Sequence, residues 1–306
     1  MEDNPDVRNL TQVKNAHVPR IGMEFMGVEI DLVFARISYE TIGSNLPNLI
    51  DDDVLKNCDE DTVRSLNGNR VAEIILKEVP NVENYRTTLR CIKLWAKSRG
   101  IYSNVLGYFG GVTWMIMVAI ICKIFPNLEP NKLLYYFFDY YMKWDWNYRN
   151  PLVLVTVSHE NKFSLSPDLF YRENRDHLMP VLTPAYPTMN STHNVSHSTK
   201  EAMMTEFEKG FKIVEALIKR DEVTNQKVYP DLSWNRLFKK FHFFSAYKHF
   251  ISITALGIDI EHQKVWEGFV ESKIRHFIHR QLEKMNEMKG GNFGMEFRPW
   301  PNPYEI

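Results

Sequence analysis

With 306 residues and 44% hydrophobic content, the chain is long enough for two domains or for one large core with a smaller partner. Lys and Arg total 37 against 38 Asp and Glu, so a formal charge of -1 excludes an overall attraction to polyanions. Any phosphate or nucleic-acid site must be a local patch. Cys58, Cys91 and Cys122 are too scattered for a metal cluster or a disulfide framework, and read as thiols in a reducing compartment.

Residues 1–20 read as poorly structured, without the apolar stretch of a secretory leader. In MGVEIDLVFAR, Val28, Ile30, Leu32 and Phe34 alternate with Glu29, Asp31, Val33 and Ala35, which predicts a strand with one apolar face. Its partners are not evident among the residues C-terminal to it, which suggests a missing sheet neighbour. Helical periodicity begins near Asp61 and runs to Lys77, stopping at Val79-Pro80. A second helix, Val82 to Ser98, places Tyr85, Leu89, Ile92 and Ala96 on one face and ends at Gly100.

Arg86, Arg90, Lys93 and Lys97 fall on the opposite face, a pattern that suits a polyphosphate or an RNA backbone as well as a plain solvated surface. Gly110-Gly111 opens the apolar run Val112 to Ile121, whose ten residues are about half of a bilayer span. It therefore predicts a buried core helix, with Trp95 and Trp114 as packing residues and no association with a membrane. Pro130 starts an aromatic-rich helix through Trp144, and Leu152 to Val157 reads as a strand. Tyr171 to Ser198 reads as surface loops, in which the sequons Asn190-Ser-Thr and Asn194-Val-Ser are chance matches. His193 and His197 are four apart but have no third ligand nearby for a metal. Thr199 is placed to cap a helix through Lys219, and Asp221 to Leu232 reads as a linker. Beyond it lie a β-like run, Phe250 to Ile258, and an amphipathic helix carrying Trp266, Phe269, Val270, Ile274, Phe277, Ile278 and Leu282 on one stripe. That stripe should pack on the β-like run.

Several stretches resemble the eukaryotic nuclear poly(A) polymerase family, in order and at matching separations. They are VEIDLVFAR (28–36), SLNGNRV (65–71), VPNVENYRTTLRCIKLWAKSRGIYSNVLGYFGGVTW (79–114), MPVLTPAYPTMNSTHNVSHST (179–199), KFHFFSAYKHF (240–250) and WEGFVESKIRHFIHRQLE (266–283). The resemblance implies an α+β chain in three parts. These are a remnant of a nucleotidyltransferase palm (1–46), a helical central domain (47–220), and an incomplete RRM-like, ferredoxin-like domain that binds RNA (228–306). It also implies transfer of AMP from ATP to an RNA 3′ end, two Mg²⁺ or Mn²⁺ ions, nuclear location, and mRNA 3′-end processing proteins as partners.

By that resemblance Asp31 is the third of three metal-binding aspartates and the catalytic one retained, since no Asp-x-Asp strand precedes it. Two carboxylates spaced by one residue share a strand face, which is why such a pair suits two metals. Asp51-Asp52-Asp53 and Asp59-Glu60-Asp61 lie downstream and read as solvated faces. Asn67, Lys93, Tyr102, Gly111 and Val112 match family positions at ATP, and Arg86, Arg90 and Lys97 are candidates to face phosphate or RNA. Both ends look cut relative to the family. Three readings are open: a piece of an adenylyltransferase, inactive as given; a truncated, non-catalytic paralogue that binds nucleotide, RNA or a processing partner; or an unstable gene fragment.

Overall fold

The structure, a computed structural model, describes residues 4–13, 18–39, 49–155, 176–222, 233–284 and 297–301. It divides into two compact units. One holds Met1–Lys77, Val155–Ser166 and Thr183–Thr188; the other holds Glu78–Leu154, Pro167–Leu182 and Met189–Ile306.

In the first unit β1 (Val7–Val13), β2 (Arg20–Phe25) and β3 (Val28–Val33) form an antiparallel sheet in that order. Phe25 pairs with Val28 across Met26 and Gly27, whose φ values of 51° and 78° are both positive. Two such residues give a turn whose twist matches that of the strands it joins. The expectation that residues 1–20 lack structure is corrected here, because β1 lies within them and β2 begins at Arg20. Asn9 and Gln12 interrupt the apolar content of β1, and its pairing to β2 shifts register between Arg8 and Thr11. A strand held mainly by its neighbour's backbone leaves little trace in side-chain pattern. The apolar side chains of β3 and its continuation are open, with Val28 60% and Phe34 80% exposed.

Farther along this unit, Asp51 accepts from the Asp53 amide to start a 3-10 turn, Asp52–Leu55, and Asp53 pairs with Lys56 at 2.7 Å. The Asp59 carboxylate accepts from the Thr62 amide at 2.7 Å, at the start of α1 (Glu60–Glu78). Arg70 of α1 is fully buried, pairing with Asp52 and donating to the carbonyls of Leu49, Ile50 and Tyr186. Burying a guanidinium is tolerable when its donors are satisfied this fully.

The second unit is built on four helices: α2 (Val82–Ser98), α3 (Gly111–Ile124), α4 (Pro130–Lys143) and α5 (His197–Glu222). Asn81 caps α2 through the Asn84 amide at 3.0 Å, and Pro130 occupies the first turn of α4, where its missing N–H costs nothing. Trp95 stacks on Phe207, meets Phe138 edge-on at 4.8 Å between ring centres, and lies 6.0 Å from Trp114. A β-carbon at residue 210 would overlap the Phe138 ring, so Gly210 sets how closely α5 approaches α4. The apolar run from Val112 is the centre of this core, with Ile116, Met117, Val118, Ala119 and Ile121 fully buried. Among the described residues no helix is long and apolar enough to cross a membrane.

Local expectations shift at several points. The predicted strand from Leu152 shrinks to β4 (Leu152–Val153), parallel to β5 (Val181–Leu182). Residues 156–157 lie outside the described residues, as does most of the predicted linker, since α5 continues through Glu222. Thr199 is not the cap of α5. Its amide donates to Ser196 Oγ at 3.4 Å while the Ser196 amide donates to Thr199 Oγ1 at 3.0 Å, so Ser196 caps and Thr199 reaches back.

Beyond α5 come a short α6 (Phe243–Ala246) and α7 (Ile260–Phe277), extended by a π-helical turn, Ile278–Glu283. Phe250 to Ile258 forms no strand and joins no sheet among the described residues. Without a ladder it cannot form the floor expected beneath α7, and Trp266 and Phe269 remain 47% and 50% exposed.

Candidate functional site

Three chemically distinct parts meet at the start of α3. Gly110, the residue before the helix, is extended and supplies no side-chain cap, so the first amides of α3 have no side-chain acceptor there. A β-carbon built on Gly111 would lie 2.9 Å from Tyr102 Oη and 3.9 Å from Lys93 Nζ. The phenol and the ammonium therefore converge on a stretch of bare backbone. Gly111 leaves the space open that any side chain would fill. Val112, in the same first turn, is half-buried.

The chain delivers these groups from separate elements. Lys93 projects from α2, and Tyr102 from the loop of residues 99–110 that joins α2 to α3. A parallel bridge between Tyr102 and Phe109 ties the two limbs of that loop together. Asn194 donates to the Asn104 carbonyl at 3.0 Å, and Thr113 and Ser191 share a hydrogen bond at 3.0 Å, so residues 191–194 buttress both the loop and the first turn of α3. Asn104 carried no individual signal in the sequence, and Asn194 stood out there only as a chance sequon. The run AYPTMNSTHNV, which contains Asn194, carried a signal as a whole.

Electrostatics distinguish Lys93 from its neighbours. Burial lowers its pKa, and the nearby charge of Lys97 lowers it further. Burial also raises the pKa of Tyr102, keeping its hydroxyl protonated. The Lys97 ammonium lies over the Tyr102 ring, 5.3 Å from its centre. Arg86 is exposed and paired with Glu83 at 3.0 Å, while Arg90 contacts the Thr87 hydroxyl at 3.4 Å. Among the described residues no carboxylate lies within ion-pair distance of Lys93 or Lys97. A half-buried cation beside backbone amides without a side-chain cap is an arrangement with the chemistry to accept an anion.

Asn67 and Asp31 belong to the other unit. Asn67 is buried on α1, and its Oδ1 has no hydrogen-bond partner among the described residues. Asp31 sits on β3 opposite Gly22, 63% exposed, and pairs with Arg20 at 3.2 Å. Glu24 and Glu29 face one another on the same side of the sheet. These carboxylates do not converge. Among the described residues no three His, Cys, Asp or Glu side chains are placed to hold a metal ion. One carboxylate neutralised by an arginine does not fit a two-metal centre, which needs several hard oxygen ligands. His193 is turned to the Asn190 carbonyl at 3.4 Å.

The model of the poly(A) polymerase central domain matches residues 84–240, and that of the poly(A) polymerase nucleotidyltransferase domain matches residues 1–79. The poly(A) polymerase predicted RNA binding domain matches residues 242–292. A poly(A) polymerase of Dictyostelium discoideum is 41% identical over 287 residues, covering 94% of this chain and 34% of its own length. Nuclear poly(A) polymerase 1 of Arabidopsis thaliana is 42% identical over 277 residues, covering 90% of this chain and 37% of its own. The chain thus spans about a third of the length of the curated relatives it matches. Among solved structures, the Cid1 poly(U) polymerase bound to MgATP superposes with a TM-score of 0.48 at 14% identity, over 77% of this chain and 72% of that one. That likeness is too loose to carry an inference. The three family domains succeed one another along the sequence in order, and the chain belongs to the poly(A) polymerase family.

Proposed function

We propose that this chain forms the nucleotide-binding wall of a nuclear poly(A) polymerase that transfers AMP from ATP to RNA 3′ ends. The observation that supports the reading is the convergence of Lys93 Nζ and Tyr102 Oη on Gly111 at the uncapped start of α3. In this reading Lys93 and the amides at the start of α3 take the triphosphate, Val112 lines the base pocket by family resemblance, and the Tyr102 hydroxyl hydrogen-bonds the nucleotide. Lys97, Arg90 and Arg86 extend the positive face toward RNA. Asn67 and Asp31 are assigned by family resemblance alone, Asn67 to sugar or triphosphate and Asp31 to a metal. The division into a palm remnant, a helical central domain and an RNA-binding domain, and partnership with mRNA 3′-end processing proteins, rest on the same resemblance.

The divalent ions implied by the family would supply charge neutralisation at the transferring phosphate. The donor set around Asp31 does not fit such a centre, so this chain's own contribution is to bind and orient. We expect the 306-residue chain, purified alone, to bind ATP without extending an RNA primer in Mg²⁺ or Mn²⁺. Calorimetry with ATP and primer extension on a sequencing gel test the two halves. Tailing that vanishes in Asp31→Ala would refute the binding-only reading. Absence of ATP binding would refute the nucleotide assignment.

A further inference from the structure

The loop of residues 99–110 is held from behind as well as from its own ends. Arg298, nearly 200 residues away in sequence, donates to the Arg99 carbonyl at 2.7 Å, at the point where α2 ends. The Pro299 carbonyl accepts from the hydroxyl of Tyr108 at 2.8 Å, at the far limb of the loop, and Tyr108 is fully buried. Between them, Trp300 lies on the bare backbone of Gly100, where a β-carbon would overlap its indole. Gly100 has a φ of 67°, so the position demands glycine for conformation as well as for space. Three consecutive residues therefore touch both limbs of the loop that carries Tyr102.

That segment is itself anchored. Arg298 and Arg99 share the carboxylate of Glu206, at 3.3 and 2.6 Å, and Glu206 is fully buried. The Arg298 guanidinium lies 3.9 Å from the centre of the Phe241 ring, and Trp300 stacks on Phe243 at 4.8 Å. The Phe241 amide donates to the Ser98 carbonyl at 2.8 Å, which brings the stacking partners to the same end of α2. Burial raises the pKa of Glu206, but the Arg99 hydrogen bond and the charges of Arg99, Arg298 and Lys209 outweigh it, so the carboxylate stays ionised. Anchor, ring stack and loop contacts form one connected body.

We propose that Arg298, Pro299 and Trp300 are positioning residues, a brace that fixes the loop so that Tyr102 Oη stands at Gly111. This rests on the reading of Lys93, Tyr102 and Gly111 as a nucleotide site, and it deepens that reading by adding control from a remote segment. Removing the brace frees the loop limbs at Gly100 and Tyr108 while leaving Lys93 on its helix. Tyr102 loses its fixed position, and the site keeps its charge but loses its shape.

The test is a set of ATP titrations on the full chain, run alongside hydrogen exchange at the amides of residues 101–109. Trp300→Ala and Tyr108→Phe should each weaken ATP by roughly threefold to tenfold and raise exchange in the loop; Trp300→Phe, which keeps a stacked ring, should restore most of both. In a Tyr102→Ala background Trp300→Ala should cost less than about twofold more, because the brace acts through Tyr102. Tyr108→Phe removes a single hydroxyl, so it decides the matter even if Trp300→Ala fails to fold. A parent that binds ATP, with Tyr108→Phe and Trp300→Phe indistinguishable from it in affinity and exchange and Trp300→Ala either equal to it or unfolded, overturns the brace alone. So do additive losses in the Tyr102→Ala background. A parent that binds no ATP overturns the nucleotide reading, and the brace with it.

Discussion

The sheet that carries Asp31 and the helical core that carries Lys93 treat their side chains in opposite ways. On β3 and just past it, Val28, Leu32 and Phe34 face solvent, and the one ion pair at Asp31 is itself exposed. In the core, Trp95, Trp114, Phe137 and Phe138 are almost wholly enclosed, and the ion pairs of Glu206 are enclosed with them. A charged group gains directional force only where water is excluded and its scaffold is rigid. Lys93 is half-buried on a rigid helix, where burial and the charge of Lys97 lower its pKa. Asp31 is exposed. The same family resemblance points to both residues, and the physical environment separates them.

The largest expected effect breaks the contrast between buried and exposed charge. Glu206→Ala strands two arginines beneath the surface and should cost about 3–5 kcal/mol of unfolding free energy. Arg20→Ala, at an exposed pair, should cost less than ~1 kcal/mol. Urea unfolding of both variants measures the gap, and equal losses would erase the distinction.

Next in size is the effect on ligand binding. Lys93→Ala should weaken ATP by about 1.5–3 kcal/mol, the worth of a charge-assisted hydrogen bond. Asp31→Ala should leave the affinity within about twofold, because it removes a group that water already screens. Calorimetry on the three proteins decides, and a loss at Asp31 equal to that at Lys93 would reunite the two regions.

A pH series sharpens the comparison further. Glu206 has its pKa lowered in the folded chain, so its contribution to stability is present above the unfolded carboxylate value and is lost as pH falls through the folded one. The stability difference between the parent and Glu206→Gln should therefore be flat above about pH 5 and shrink below about pH 4. Unfolding curves at several pH values give that profile, and a difference independent of pH would remove Glu206 from the linkage.

The smallest expected effect lies on the open sheet. Phe34→Ser should change stability by less than ~0.5 kcal/mol, since its side chain is already solvated, yet reduce self-association. Light scattering at increasing concentration, set beside an unfolding curve, tests both parts.

Local chemistry was legible from the residues alone. Gly100 marks the end of α2, Gly111 the start of α3 and Pro130 the start of α4, because caps and breakers act within a turn of their own position. The period of the apolar residues likewise separated the buried face of α2 from the cationic one. Resemblance added the proposed roles of Lys93, Tyr102 and Gly111, which no spacing could supply.

Tertiary structure decided everything that depends on a partner distant in sequence. β1 escaped notice because its pairing to β2 is made by backbone groups, which every residue carries. Phe250 to Ile258 has strand-like chemistry, but a strand exists only when another lies beside it. Arg298, Pro299 and Trp300 carry no local signal of a role, and only the fold places them against Glu206, Tyr108 and Gly100. Asp31 has the same chemistry in any context, yet one nearby arginine and open solvent give it a different setting from a carboxylate among metal ligands. A sequence states which groups are available, while their burial and their neighbours, settled only by folding, determine the strength with which each acts.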